Sequence, residues 1–227
     1  MFNWFLHFFD LIFPKICITC QNSLLKNEQL ICMNCLSDLS FLYDYQHLKD
    51  NKTYYQIAGY VPIQGAFSAF QFDKGGKLQE IIHHLKYKNQ PCLGTLVGEF
   101  LAKQINQCPF PSNAVLLPIP LHAKKLKKRG YNQTSMIAKG IAKVWNLPIN
   151  ENDFIRIKFT ETQTAKTKEE RQKNVENIFQ LLNTIQNPVI LIDDVVTTGS
   201  TLISACKTLY QNGVNDIYVV TLATAID

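Results

Sequence analysis

Glycine is scarce in this 227-residue chain, with 10 copies, and charged residues reach only 18 %. A collagen-like repeat, a coiled coil and a disordered polyelectrolyte are excluded on those grounds. No segment repeats, and no tract is of low complexity. A membrane-spanning run is missing too: the apolar stretch MFNWFLHFFDLIF ends at residue 13 and carries His7 and Asp10, where a spanning helix needs ~20 apolar residues. The same stretch has neither a basic start nor a small-residue cleavage site, so it does not read as a secretory leader. A disulfide framework is disfavoured by the cysteines themselves, seven in number with four of them in two Cys-x-x-Cys pairs. That usage suits a reducing compartment, and the cytoplasm is the expected location.

What is present is the composition of a globular protein. Apolar residues make up 46 %, with 14 Phe and 9 Tyr, and a chain of this length buries roughly 70–75 % of its unfolded surface. The net charge of +5 favours anionic partners. It is concentrated, since Lys124, Lys125, Lys127, Lys128 and Arg129 closely follow His122. Such a run is a local anion site, a nucleic-acid patch or a solvated basic helix face. Residues 1–13 read as an amphipathic helix stopped by Pro14, with Asn3, His7 and Asp10 on one face and Trp4, Phe5, Phe8, Leu11 and Ile12 on others. Such a helix docks on the chain's own core, or else on a membrane surface or a partner protein.

The cysteine pairs occupy residues 17–35, and the polar stretch 44–52 reads as a linker. The expected division is a module over residues 1–50, holding the first helix and the cysteines, and a larger domain over 51–227. Partial alternation within 57–73 suggests strands, and Gly75-Gly76 a turn into a helix over 77–86 with Leu78, Ile81, Ile82 and Leu85 as its stripe. A helix over 93–104, a short buried strand at 115–117, the basic loop and a helix over 132–144 follow. The polar segment 158–170 has no apolar periodicity and suits a lid or a plain mobile loop. Within it, Thr167-x-x-Glu170 has the capping-box spacing that opens a helix. Residues 189–192 form a fully apolar strand, 200–211 a helix stopped by Gly213, and 217–222 the next strand. Strand, helix and strand in that order make a βαβ unit, which implies an α/β fold with a parallel sheet buried on both faces.

The spacing Cys17-x2-Cys20-x11-Cys32-x2-Cys35 suits a metal, because each pair clips two tetrahedral positions and the loop brings the pairs together. Four thiolates leave no open position, so a zinc ion held there is structural. Two disulfides or a dithiol redox site are the alternatives, although one redox motif needs no second copy so close by. Cys92, Cys108 and Cys206 stand alone and are expected to be buried. His83 and His84 lie on a helix, where core or surface roles fit them better than catalysis.

Between the apolar strand and the last helix lies Asp193-Asp194-Val-Val-Thr197-Thr198-Gly199-Ser200-Thr201. The small residues let the backbone curl so that several N–H groups converge, and the start of the helix adds its positive dipole end. With the hydroxyls of Thr197, Thr198, Ser200 and Thr201, this is a cup for a phosphomonoester. A carboxylate repels phosphate, so Asp193 and Asp194 serve something beside it. Adjacent sugar hydroxyls fit, since an ionised Asp accepts them and a 5′-phosphorylated ribose holds its 2′ and 3′ hydroxyls at that reach. In the plainer alternative, Asp-Asp ends the strand and Ser/Thr caps the helix. The lysine of a Walker A loop and the glycines of a dinucleotide fingerprint are missing, which removes ATPase and dehydrogenase readings.

Residues 189–201 resemble the ribose-phosphate motif of type I phosphoribosyltransferases. Leu85-Lys86-Tyr87-Lys88, Pro118-Ile-Pro-Leu-His122, Arg129-Gly-Tyr-Asn132-Gln133, Gln163-Thr164 and Arg171-x-x-Asn174-Val175 with Phe179 resemble the ComF family of competence proteins over nearly the whole chain. That family also carries a four-cysteine zinc knuckle behind a Leu/Phe-rich helix. The resemblance implies a type I phosphoribosyltransferase fold, a mostly parallel central sheet flanked by helices, with a small N-terminal zinc module of double-zinc-ribbon kind. It implies binding of 5-phosphoribosyl 1-pyrophosphate (PRPP) with magnesium. Asp193 and Asp194 would hold the ribose hydroxyls, Thr197, Thr198, Gly199, Ser200 and Thr201 the 5′-phosphate, and Pro120, Leu121, His122, Lys125 and Arg129 the diphosphate; apart from the resemblance, Lys166, Lys168 and Arg171 either reach the leaving pyrophosphate or belong only to a mobile loop and a helix start. The family's basic loop is Arg-rich, whereas positions 124, 125, 127 and 128 here are lysine. Lysine binds phosphate as a point charge without the bidentate fork, so a general anion role is expected.

No acid/base catalyst stands out, and transfer through an oxocarbenium-like ribose requires no side-chain nucleophile. Two functions follow from the resemblance: an enzyme moving phosphoribose onto an acceptor with release of pyrophosphate, or a non-catalytic module that senses PRPP or a nucleotide and binds single-stranded DNA. Both place the protein in the handling of incoming DNA during natural transformation. Other competence proteins, or the inner membrane surface met through residues 1–13, are the further expected partners.

Overall fold

Two faces of one parallel sheet take up most of the apolar sequence. The computed structural model describes residues 13–105, 107–158 and 178–225. The expected first helix (save Phe13), the lid beyond residue 158, the capping box, Gln163-Thr164 and Arg171 to Val175 lie outside the described residues. In chain order the elements are α1 (Met33–Ser37), α2 (Lys52–Ala58), β1 (Gly65–Phe72), α3 (Lys77–Tyr87), α4 (Pro91–Lys103), β2 (Val115–Pro118), α5 (Ala123–Arg129), α6 (Gln133–Trp145), β3 (Phe154–Arg156), β4 (Phe179–Leu181), β5 (Val189–Val196), α7 (Ser200–Gln211) and β6 (Ile217–Ala225).

The main sheet has the order β1–β6–β5–β2, and every pairing in it is parallel. A bridge from Leu116 to Ile149 continues it beyond β2, and an antiparallel bridge from Phe41 to Phe70 closes the β1 edge. β3 and β4 form a separate antiparallel pair. Side chains alternate along the strands: Leu116, Ile190, Ile192, Val220 and Leu222 face one core, while Leu117, Val189, Leu191, Ile217 and Val219 face the other. The unbroken apolar runs of β5 and β6 follow from burial on both faces.

On the first face α4 and α6 cross with their backbones in contact. A Cβ at Gly140 would sit 2.1 Å from the Thr95 carbonyl oxygen, and one at Gly98 would sit 2.2 Å from that of Ile137. The same buried cluster runs from Cys17, Ile31 and Leu36 of the cysteine region into Phe67, Phe70 and Ile81. The second face is covered by α2 and α7, through Ile57, Leu202, Ala205 and Leu209.

Four local expectations are corrected. The basic stretch is the helix α5, because the His122 ring accepts the Lys124 N–H at 3.2 Å and Gly130, at φ +84°, ends it. Residues 44–52 lie against β1: the Leu48 carbonyl accepts the Ala66 N–H at 2.9 Å, and Asn51 donates to the Ala66 carbonyl while its own oxygen caps α2. Cys92 is exposed and Cys108 half-buried, since both lie near the ends of elements rather than on the packed stripe that buries Cys206. Of residues 57–73, expected to form strands, 57–58 end the helix α2 and 65–72 form the single strand β1; the other expected helices and strands of the described chain are found, with ends shifted by a few residues.

Candidate functional site

β5 is the strand at which the chain changes direction across the sheet. From β2 the chain goes outward to the edge at Ile149, whereas from β5 it passes through α7 to β6 on the other side. The crevice beyond the carboxyl ends of β2 and β5 is the topological switch point at which open α/β sheets bind ligands. Both sequence-predicted loops end there. Residues 118–122 leave β2 beside β5, the Ile119 N–H donating to the Ile192 carbonyl at 2.9 Å. The Asn132 amide (3.0 Å) and the Thr134 hydroxyl (2.7 Å) donate to the Ile119 carbonyl and hold this loop in place.

The second loop, Thr197 to Thr201, turns from β5 into α7. Gly199 takes φ +72°, a conformation open to glycine and strained for other residues. The turn lines a small hollow of about 40 Å³ with Asp193 and Val195 at its wall. Thr198 and Ser200 hydroxyls lie 3.1 Å apart, and the Gln56 amide donates to the Thr197 carbonyl at 3.1 Å. A wider hollow, of about 600 Å³, lies at the opposite end of the strands, between residues 148–153 and 184–187. Of its two carboxylates, Asp153 is bonded to Asn150 (2.7 Å) and Asn183 (2.6 Å), and Glu151 lies 3.4 Å from the Lys139 ammonium.

Asp193 and Asp194 are both buried, at 9 % and 5 % exposure. Asp194 is paired: Lys86 Nζ lies 2.8 Å and Gln133 Nε2 3.0 Å from its Oδ2, and the Val195 N–H donates to Oδ1 at 2.7 Å. Asp193 accepts the Asp194 N–H at 2.9 Å. Burial pushes the Asp193 carboxyl up to about 7, the charge of Asp194 adds to this, and the Asp194 N–H, Lys86 and Arg156 oppose it. A carboxylate this poorly compensated gains from hydroxyl donors brought by a ligand.

Four cations gather from three elements, and two of them, Lys86 and Arg156, act on the aspartates. Lys86 ends α3, Lys125 and Arg129 lie on one face of α5, and Arg156 ends β3 over the Phe179 ring at 5.5 Å. The spacing of four between Lys125 and Arg129 puts both on the half-buried side of α5, while Lys124, Lys127 and Lys128 are exposed. Burial lowers the Lys125 ammonium, and the charges of Arg156, Arg129 and Lys86 lower it further. Like charges gathered this closely suit a multiply charged anion. Pro120, Leu121 and His122 sit half-buried on the loop between this cluster and β2.

The four paired cysteines form a separate centre. The sulfurs of Cys17, Cys20, Cys32 and Cys35 all lie within 4.8 Å of one another, and all seven cysteines are free thiols. Cys20 and Cys32 sulfurs are 3.7 Å apart, beyond the ~2.05 Å of a disulfide and equal to the roughly 3.8 Å edge of a tetrahedron with Zn–S of ~2.3 Å. Burial resists ionisation of Cys17, but donors from the Cys20 backbone, the Thr19 hydroxyl and the Cys32 backbone outweigh it and bring the thiol down to about 6. The donor set is able to hold a metal ion such as zinc.

Over 158 residues the chain is 32 % identical to competence protein F of Haemophilus influenzae, a match that covers 65 % of this chain and 68 % of that one. The chain belongs to the competence protein F family. The DNA utilization protein YhgH of Salmonella typhi is 26 % identical over 149 residues, covering 63 % of this chain and 65 % of its own. This family member thus matches about two thirds of the length of each relative. No family model matches the chain. Among solved structures, the glutamine phosphoribosylpyrophosphate amidotransferase of B. subtilis, complexed with ADP and GMP, is 15 % identical with a TM-score of 0.41, covering 62 % of this chain and 30 % of that one. The chain is a parallel sheet flanked by helices, with the aspartate pair and the Thr/Gly/Ser turn at its switch point.

In this competence protein F relative, Gln56 and Arg156 join the site without a sign in the sequence, while Lys86 and Gln133 belong to the motifs that carry the resemblance but take their roles from the structure. Lys86 carried a signal, a cation closing an apolar-striped helix. Arg156 carried none, because its place depends on a strand pairing with Phe179 across the segment between them.

Proposed function

We propose that the protein binds PRPP with magnesium at the switch point and acts in the handling of DNA taken up during natural transformation. The observation that carries this reading is the buried Asp193–Asp194 pair, one carboxyl raised for want of donors, next to the Thr197–Thr201 turn, with Lys86 and Arg156 acting on it and Lys125 and Arg129 clustered with those two cations. Ribose 2′ and 3′ hydroxyls donate to the carboxylates, the turn takes the 5′-phosphate, and Lys125, Arg129 and Arg156, with the 120–122 loop, face the diphosphate. In transfer, the bond from ribose C1 to the pyrophosphate oxygen breaks and one to an acceptor forms, and the cations stabilise the departing charge. The names of the relatives, a competence protein and a DNA utilization protein, support the setting. The reading also places zinc in the four-cysteine centre and the protein in the cytoplasm. Among the described residues no helix is long and apolar enough to cross a membrane.

The exposed lysines of α5 favour a second ligand, single-stranded DNA, held through its phosphates. Affinity is expected to fall steeply with added salt, and Lys127→Ala with Lys128→Ala to flatten that slope by about 1–2; salt-insensitive binding would remove this part of the reading. PRPP is tested by calorimetric titration in the presence of magnesium, beside the Asp193→Ala/Asp194→Ala double variant. Binding in the ~μM range that disappears in the folded variant supports the site, and absence of heat with the folded wild-type protein overturns it.

A further inference from the structure

Tyr87 ends α3 one residue beyond the lysine that pairs with Asp194, yet its ring is 67 % exposed. The guanidinium of Arg129 lies over the Tyr87 ring, 5.8 Å from its centre, and the His83 ring lies 5.2 Å away at a tilt of 45°. Two routes tie this aromatic surface to the ribose pocket. Lys86 reaches Asp194 directly at 2.8 Å, and Arg129 donates to Gln133, which donates to Asp194 at 3.0 Å. The Tyr131 hydroxyl donates to the Leu85 carbonyl and anchors the end of α3 to the segment between α5 and α6.

We infer that Tyr87 and Arg129 form a stacking platform for a nucleobase beside the ribose pocket. The inference rests on the phosphoribosyl reading for the identity of that pocket and adds the class of group held next to it. A phosphate gains little from a flat ring, whereas a base gains by stacking and an adjacent guanidinium adds charge and donors for its edge. The base belongs either to a free acceptor or to a DNA strand, and the two sources are separable.

The test uses the full chain with Tyr87→Ala and Tyr87→Phe. One arm measures anisotropy with a labelled oligo(dT) and with an abasic strand of the same length. The other measures equilibrium dialysis of adenine, guanine, cytosine and uracil, each with PRPP and magnesium. Tyr87→Ala is expected to weaken binding about tenfold in one arm and Tyr87→Phe to restore it, with the abasic strand unaffected. Loss with oligo(dT) identifies a DNA base, and loss in dialysis identifies a free acceptor base. Unchanged binding in both arms, an equal loss with the abasic strand, or no base binding by the wild type overturns the platform. PRPP calorimetry on Tyr87→Ala reads the ribose pocket separately, so failure of the platform leaves that heat intact and failure of the pocket abolishes it in the wild type as well.

Discussion

An unfolded chain releases the Asp193 proton near the usual carboxylate value of 3.8, whereas burial beside Asp194 holds it in the folded protein up to about 7. The stability tied to that proton is complete below 3.8 and is lost as pH rises through 7. Asp193→Asn keeps an oxygen for the Asp194 N–H and removes the buried charge, so its melting temperature is expected to exceed that of wild type by about 5 °C at pH 8 and to match it near pH 4. Thermal unfolding at the two pH values checks this, and an equal shift at both would contradict it. Ligand binding runs the opposite way, because ribose hydroxyls need the ionised form. PRPP affinity is expected to fall about tenfold from pH 8 to pH 6 in the wild type. Lys86→Met removes the cation that faces Asp194 from α3 and is expected to cost roughly 1–3 kcal/mol in urea unfolding, with PRPP binding weakened even where the protein stays folded. The aspartates and the turn were legible because all their parts are contiguous; Arg156 and the role of Gln133 were not, because only tertiary packing brings them to the strand end.

Elements carry the site by fixing angles between loops. The α4–α6 crossing sets where α6 begins, and with it Gln133 and Thr134, which hold Asp194 and the Ile119 carbonyl. Gly140→Ala places a methyl within 2.1 Å of the Thr95 carbonyl oxygen, and neither backbone gives way cheaply. It is expected to cost about 3 kcal/mol and to weaken PRPP binding although it lies far along α6 from the site; chemical denaturation and calorimetry on the same variant check both. The stripes of α3, α4, α6 and α7 were readable because helical periodicity is local. The basic stretch was read as a loop because α5 buries no residue and has no stripe to show. Its cap at His122 and stop at Gly130 are single-residue signals, weaker than a periodic one.

At the scale of the whole molecule, the cysteine centre and the sheet share one buried cluster through Ile31, Leu36, Phe67 and Phe70. Loss of metal is therefore expected to reach the sheet. Cys17→Ser, or chelation of the wild type, is expected to remove about one zinc per chain and lower the melting temperature by more than about 5 °C, read by metal analysis and calorimetry; a metal-free protein that melts unchanged would contradict it. The sequence by itself determined the parallel α/β class, the metal-suited cysteine spacing and the aspartate–turn motif, since each depends on residues near one another in the chain. Tertiary structure alone decided which lysines turn inward, that Arg156 and Gln133 join Asp193 and Asp194, and that Arg129 lies over Tyr87. These contacts join distant segments, and their energy comes from burial and charge pairing that no local pattern encodes.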